Sequence, residues 1–161
     1  MNTYLIIKWL HILSSVLLVG TGFGSAFYMF FANRSGSLAA QAVVTRLVVR
    51  ADWWFTTPAG IVQPISGFYL MYLTGWGLSW DTPWILASLI LYLIAGLCWL
   101  PVVWLQIRMS RMTDDALKNG EALPQKYFRY AQLWEALGYP AFIAMLGIYY
   151  LMVNKPVLWG A

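Results

Sequence analysis

Residues 84–107 read WILASLILYLIAGLCWLPVVWLQI, a run without a single charged side chain. As a helix, this run is long enough to cross the apolar core of a bilayer, which is about 30 Å thick. The rest of the chain has a similar character, because 61% of its 161 residues are hydrophobic and only 10% are charged. A water-soluble domain of this size does not bury that much apolar surface. The sequence therefore predicts an integral membrane protein.

Three further apolar runs accompany this one, at 4–31, 53–75 and 130–153. Ser37 is a suitable cap for a helix that begins at Leu38 and continues into the second of these runs. Together with 84–107 they make four predicted spans, and no internal repeat or second domain interrupts them. We predict an all-α fold in which residues 1–161 form a single transmembrane domain, an integral membrane four-helix bundle.

The basic residues are divided unevenly between the two ends of the predicted bundle. Eight lie in or beside the connections that join spans 1 and 2 and spans 3 and 4: Arg34, Arg46, Arg50, Arg108, Arg111, Lys118, Lys126 and Arg129. Lys155 lies at the other end, with Lys8 close by. The positive-inside rule then makes both termini periplasmic, in a multi-pass protein of the bacterial cytoplasmic (inner) membrane. Because topology explains the net charge of +4, we expect the lipid bilayer and not a nucleic acid as partner.

The chain contains one cysteine, Cys98, and one histidine, His11. This count excludes a disulfide framework and a metal centre built from several thiolates. It also excludes any site that requires two imidazoles from one protomer. Redox chemistry in this protein would therefore require a bound cofactor.

His11 lies about two turns into the first predicted span, where an imidazole is costly unless it has a partner. Helical spacing places small residues on its face, among them Ser15 and Gly22, and Lys8 lies over the same face. A second helix or a flat cofactor fits against such a face. A neutral imidazole ligates haem iron through Nε2 while it donates from Nδ1. Three interpretations stay open: haem ligation, a structural hydrogen bond between helices, and proton or ion handling.

Glycines at positions 20, 22 and 24 follow in the same span. The G-x-G-x-x-G spacing fails at Ser25 and no strand precedes it, which excludes a dinucleotide-binding loop. Gly20 and Gly24 instead form a G-x-x-x-G step, which lets two helix backbones approach closely. Packing within the bundle is the simpler interpretation of a single such step. For the assembly, we predict a homodimer through the Gly20/Gly24 face, with each His11 directed into its own bundle.

The other polar residues of the spans have structural interpretations. Asp52 and Glu135 lie near the predicted cytoplasmic boundary, where we expect arginines to neutralise them: Arg50, Arg108 or Arg129. Prolines at 58, 64, 101 and 140 predict kinks in the helices. Gln63 and Gln106 are expected to satisfy carbonyls that these prolines leave without a partner.

Two motifs carry a resemblance to a known family: KWLHIL at 8–13 and RADWWFTTP at 50–58. With the small residues after the first motif, they resemble an uncharacterised bacterial family of four-helix integral membrane proteins, domain of unknown function 2269. The resemblance covers nearly the whole chain in helix count and order, and it implies the fold. More distantly, the K-x-x-H element looks like the small four-helix membrane protoporphyrinogen oxidases and the copper-resistance membrane proteins.

In those oxidases, the resemblance implies, a first-helix histidine serves a bound b-type haem and a later-helix lysine is also functionally important. Only His11 has a counterpart in this chain, because the third span contains neither lysine nor histidine. We predict that His11 is an axial ligand of haem b, with Lys8, Ser15 and Gly22 beside the cofactor, in a redox or haem-related role. The alternatives are a membrane transporter or ion-handling protein, and a non-catalytic accessory subunit of a membrane complex. The second axial position is predicted to be empty or to be filled by one of the following: Met71, Met152, Lys8 or His11 of another protomer.

Overall fold

The computed structural model describes residues 2–78 and 82–158. These residues form helices and no strand, in this order: α1 (Thr3–Arg34), α2 (Leu38–Ala51), a π-helical turn (Asp52–Thr56), α3 (Thr57–Thr74), α4 (Pro83–Asn119) and α5 (Gln125–Asn154). The segment from α2 to α3 is one continuous helix, because the residues at both junctions keep right-handed helical backbone angles. The described chain therefore forms four long helical segments, which confirms the predicted all-α, four-helix architecture.

Residues at the helix ends supply hydrogen bonds that the helices themselves cannot make. Ser37 caps α2 as predicted, since its hydroxyl accepts a hydrogen bond from the backbone N–H of Ala40 at 3.3 Å. The side chain of Asn2 accepts from the N–H of Tyr4 at 3.1 Å in the same way. Gly120 ends α4 with φ at 67°, a left-handed conformation that glycine adopts without steric cost.

The π-helical turn is a feature of the second segment that the sequence analysis did not predict. It ends two residues before Pro58, which lacks the N–H that an α-helix would use to bond the carbonyl of Trp54. The N–H of Thr57 bonds instead to the carbonyl of Asp52, five residues earlier. As a result, Asp52 and Thr56 are the two buried residues of this turn. Such turns are rare in helices and are frequent at functional sites.

Three helices of the described chain are long and apolar enough to cross a membrane: α1, α4 and α5. They contain the predicted spans 4–31, 84–107 and 130–153. The remaining predicted span, 53–75, coincides with most of the π-helical turn and with α3, which is not among these three helices. The α4 helix also continues beyond its uncharged part to Asn119.

A buried core holds the helices together at one end of the bundle. We call this the basic end, and it contains the connections 34–38 and 119–125. The opposite end, where α1 begins and α5 ends, is the terminal end. The core consists of Met29, Val48, Val102, Leu105, Met109, Tyr127, Ala131 and Trp134. The hydroxyl of the fully buried Tyr127 donates to Oδ1 of Asn33 at 2.6 Å, so this hydroxyl has a partner in spite of its burial. The core joins α1, α2, α4 and α5.

Between the core and the terminal end, the helices separate into two pairs. α1 packs along α3, and α4 packs along α5. Gly147 brings the second pair close together, because a Cβ atom at this position would lie 3.0 Å from Cδ1 of Leu91. The hydroxyl of Tyr92 in α4 connects the two pairs by donating to the carbonyl of Gly60 in α3 at 2.5 Å. The separation of the pairs leaves a cavity between them.

Candidate functional site

The cavity between the α1–α3 pair and the α4–α5 pair has a volume of about 760 Å³. Most of its wall is apolar, with side chains from α1, α3, α4 and α5: Leu18, Phe23, Ile61, Leu93, Leu97 and Phe142. The rings of Phe23 and Phe142 stack with 5.2 Å between their centroids and close part of one side. Leu97 is 71% exposed and Tyr139 is 61% exposed. Because these wall residues are exposed, the cavity is open to the surroundings of the helices and is not sealed within the bundle.

Polar side chains gather where the cavity meets the basic end. Asp52 and Thr56 come from the π-helical turn and Gln106 from α4, and all three line the cavity. In the amide orientation that satisfies both of its atoms, Gln106 donates to Oδ2 of Asp52 and accepts from Nε1 of Trp134 at 3.2 Å. Asp52 is only 4% exposed. The amide therefore holds a buried carboxylate against the cavity wall.

Asp52 has no cationic partner within ion-pair distance among the described residues. The expected pairing with Arg50, Arg108 or Arg129 is wrong: the guanidinium of Arg108, for example, lies 5.4 Å from the ring centroid of Trp104. The expectation for Gln106 is wrong as well, since its amide bonds side chains and not a carbonyl freed by proline. A buried carboxylate without a counter-ion is unusual and requires an explanation.

Glu135, the second carboxylate of the cavity wall, pairs with an arginine that the sequence analysis did not name. Nη1 of Arg34 lies 2.7 Å from Oε1 of Glu135, and Nη2 lies 2.9 Å from Oε2. The same guanidinium lies over the ring of Phe30, with 3.5 Å from Cζ to the ring centroid. This bidentate contact connects the end of α1 to α5 beside the cavity.

The side chain of His11, a residue of α1, lies against α3 and is not among the residues that line the cavity. Its Nδ1 is 2.9 Å from the hydroxyl of Ser66, and its Nε2 is 3.1 Å from the amide nitrogen of Gln63. The amide oxygen of Gln63 accepts from Ser14, and Ser66 donates to the carbonyl of Val62 at 2.6 Å. One assignment satisfies every group in this network: a neutral imidazole that donates from Nδ1 and accepts at Nε2.

Three interpretations of His11 were left open by the sequence. This network matches one of them, the structural hydrogen bond between helices. Both ring nitrogens have partners, so the ring presents no free nitrogen to a haem iron. Gly67 of α3 lies against the ring, since a Cβ there would be 3.2 Å from Cε1 of His11. The residues around His11, as they are arranged, do not fit an axial haem ligand. Haem b at this position stays a prediction of the sequence.

The other predicted cofactor residues are not brought together around His11. Lys8 is exposed, and its ammonium lies 5.7 Å from the ring centroid of Tyr4. Ser15 donates to a backbone carbonyl of its own helix at 2.7 Å, and Gly22 lines the cavity. Within residues 2–78 and 82–158, no group of three or more His, Cys, Asp or Glu side chains could hold a metal ion. The residues of the predicted small-residue face therefore do not share one site, because Gly22 lines the cavity and Lys8 and Ser15 do not.

Gly20 and Gly24 make no close contact with another described helix. A Cβ atom built on either glycine would have no heavy atom of a neighbouring segment within 4 Å. The expectation that this G-x-x-x-G step packs within the bundle is therefore wrong. The homodimer through the same face stays a prediction. Close helix approach occurs instead at Gly67 and Gly147.

Two sets of residues were missed by the sequence reasoning: the partners of His11 and the polar end of the cavity. Gln63 and Ser66 are three residues apart in an otherwise apolar run, and this spacing indicates a polar contact with another helix. Asp52 could have been identified from its position in the motif at 50–58, at the start of a predicted span. An ionisable residue in a membrane segment is by default a functional candidate.

The model of the family described as "Predicted integral membrane protein (DUF2269)" matches residues 5–156. This is the family that the motifs at 8–13 and 50–58 resemble, so that prediction is confirmed. No curated protein and no solved structure matches the chain.

Proposed function

We propose that this chain, which belongs to the DUF2269 family of predicted integral membrane proteins, binds a largely apolar molecule from the bilayer in its cavity. The observation that carries the proposal is the cavity of about 760 Å³ between the two helix pairs. Ligand-binding cavities of proteins commonly have volumes of roughly 300–1,000 Å³ and mostly apolar walls with a few polar groups. The wall of this cavity has the same composition, with its two carboxylates, Asp52 and Glu135, at one end.

The molecule reaches the cavity sideways, from the acyl chains of the bilayer. Leu97 of α4 and Tyr139 of α5 line the cavity and are largely exposed, which supports an entrance beside these two helices. The free energy of a molecule that is already dissolved in the membrane changes little when it moves into such an apolar space. Its binding therefore depends on how closely its shape matches the cavity and on its contacts with the polar end. Among the predicted alternatives, a transporter is the one whose activity would begin with such a binding step.

Saturable photolabelling tests this function. The purified protein in lipid nanodiscs is labelled with an alkyl diazirine, and the labelled peptides are identified by mass spectrometry. We expect peptides that contain Leu93 and Phe142 to show a component of labelling that excess unlabelled compound removes. Excess unlabelled compound does not remove the labelling of the lipid-facing surface. The two kinds of labelling, inside the cavity and on the lipid-facing surface, are therefore distinguished.

A cavity-filling variant supplies the control. Gly22 and Gly96 both line the cavity, and nothing lies within 4 Å of a Cβ at either position. We expect Gly22→Leu combined with Gly96→Leu to fill the space and remove most of the saturable labelling. Ala136→Leu is the matched control, because Ala136 is an exposed residue of α5 that does not line the cavity. Unsaturable labelling of the wild type, or unchanged labelling of the filled variant, would reject the proposed function.

Haem b at His11 is a separate proposal, and it comes from the family resemblance and the first-helix position of this histidine. It requires the imidazole to exchange its hydrogen bond with Gln63 for iron. Its measurement is an absorption spectrum of the dithionite-reduced protein purified from cells with a normal haem supply. A Soret band that His11→Ala removes would support the proposal, and the absence of a Soret band would reject it.

The orientation and assembly of the protein complete the proposal. The eight basic residues at the basic end support a cytoplasmic location of that end, with both termini periplasmic in a bacterial inner membrane. The open Gly20/Gly24 face supports a homodimer.

A further inference from the structure

The polar end of the cavity contains a carboxylate whose charge is not balanced by the described residues. Asp52 and Glu135 both line the wall, but Arg34 pairs only with Glu135, through both of its terminal nitrogens. Asp52 is only 4% exposed. In residues 2–78 and 82–158, no cationic side chain lies within ion-pair distance of its carboxylate. Burial of an unpaired charge is costly, and a ligand with a positive charge would remove this cost.

The same end also has hydrogen-bonding capacity left for a ligand. Gln106 donates to Oδ2 of Asp52 only, whereas a carboxylate accepts several hydrogen bonds. Thr56 lines the cavity one turn further along, with its hydroxyl buried beside Asp52. These two groups leave part of the acceptor capacity of the Asp52 carboxylate unused, and a donor on a ligand would complete it.

The surroundings favour an organic cation over a metal ion. Ca²⁺ and Mg²⁺ require about six or more oxygen ligands, and most of this wall consists of carbon atoms. The wall includes the aromatic rings of Phe27, Trp99 and Tyr139, whose faces attract ammonium groups. Arg34 already shows this contact at the edge of the cavity, where its guanidinium lies over Phe30. An ammonium group on a hydrocarbon chain satisfies both the polar end and the apolar wall.

We infer that the cavity binds a lipophilic amine, whose protonated amino group pairs with Asp52 and whose hydrocarbon part fills the space between the helix pairs. In this complex, Gln106 holds the carboxylate in place and Thr56 is a second acceptor for the ammonium. The inference rests on the proposed function and adds the chemical class of its ligand.

Two competitors that differ only in the head group test the inference. Tetradecylamine and tetradecanol are compared, at equal concentrations in the nanodisc lipid, for their ability to remove the saturable diazirine label. We expect the amine to compete at a concentration at least about tenfold lower, because desolvated charge pairs of this kind contribute that much or more. Equal potency of the two competitors on the wild-type protein would overturn the inference, and this comparison requires no variant.

Asp52→Asn keeps the shape of the side chain and removes its charge. We expect this variant to reduce the advantage of the amine to within about twofold while the alcohol competes as before. Asp115→Asn is the matched control, since Asp115 is an exposed acid of α4 outside the cavity wall, and it should keep the full advantage. An undiminished advantage in Asp52→Asn overturns the inference but leaves the proposed function standing. Absence of any saturable label in the wild type overturns both.

Discussion

Gln63 makes two of the polar contacts between α1 and α3. Its amide nitrogen donates to Nε2 of His11 and its amide oxygen accepts from Ser14, so one replacement removes both hydrogen bonds and leaves Nε2 of His11 without a partner. The hydroxyl of Ser14 keeps its bond to the carbonyl of His11 at 2.9 Å. We expect Gln63→Leu to lower the free energy of unfolding by about 1–2 kcal/mol, the cost of lost hydrogen bonds between membrane helices. Thermal unfolding in mild detergent, followed by circular dichroism, measures the effect.

Gln132→Leu is the matched control for this prediction, because Gln132 is an exposed residue of α5. Its replacement adds the same apolar side chain without breaking the contact to His11. Equal thermal stability of the two variants would show that the hydrogen bonds of Gln63 do not stabilise the fold.

The sequence predicts roles of single residues when their partners are near in the chain. The cap at Ser37 was predicted because its partner, Ala40, is three residues away. The partners of His11 are 52 and 55 residues away, and no pattern within one helix names them. The sequence did show that His11 requires a partner, because an unpaired imidazole is costly in an apolar membrane span and the span is evident from the sequence.

At the scale of helices, Gly67 allows α3 to lie directly against α1. A Cβ at this position would already be 3.2 Å from Cε1 of His11, so a longer side chain forces the two helices apart. We expect Gly67→Leu to destabilise the protein by about 1–3 kcal/mol, the usual cost of overpacking. The measurement is again thermal unfolding, with Gly96→Leu as the control because nothing lies within 4 Å of a Cβ at this helical glycine of α4. Equal losses of stability in both variants would disprove the role of this contact.

The helices themselves were largely predictable, and the π-helical turn was not. The missing N–H of Pro58 is evident from the sequence, and it predicts a disturbed hydrogen-bond pattern before this residue. Whether a helix responds with a kink or with a π-helical turn depends on what its buried side chains contact. Here the turn keeps Asp52 and Thr56 against the cavity, and their neighbour Gln106 comes from another helix. The polar end of the cavity therefore could not be derived from the second segment alone.

At the scale of the whole molecule, the division of charge predicts its orientation in the membrane. Eight basic residues at the basic end should keep that end in the cytoplasm, because basic connections are translocated poorly. We expect alkaline phosphatase fused after Ala161 to be active in the periplasm and the same enzyme inserted at Gly120 to be inactive. Fluorescent-protein fusions at both positions should give the reverse pattern. A cytoplasmic location of the chain end would contradict the predicted topology.

For the assembly of the molecule, we predict the use of a face that its own described helices leave open. Gly20 and Gly24 are four residues apart on one side of α1, and no neighbouring segment lies within 4 Å of a Cβ at either glycine. Small residues at this spacing allow a second copy of the helix to approach closely, while His11 is directed toward α3 of its own bundle. We expect a homodimer through this face that Gly20→Leu combined with Gly24→Leu converts to monomers, as mass measurement in mild detergent would show. Gly22→Leu should leave the dimer intact, because Gly22 lines the cavity, and a double variant that stays dimeric would reject this interface.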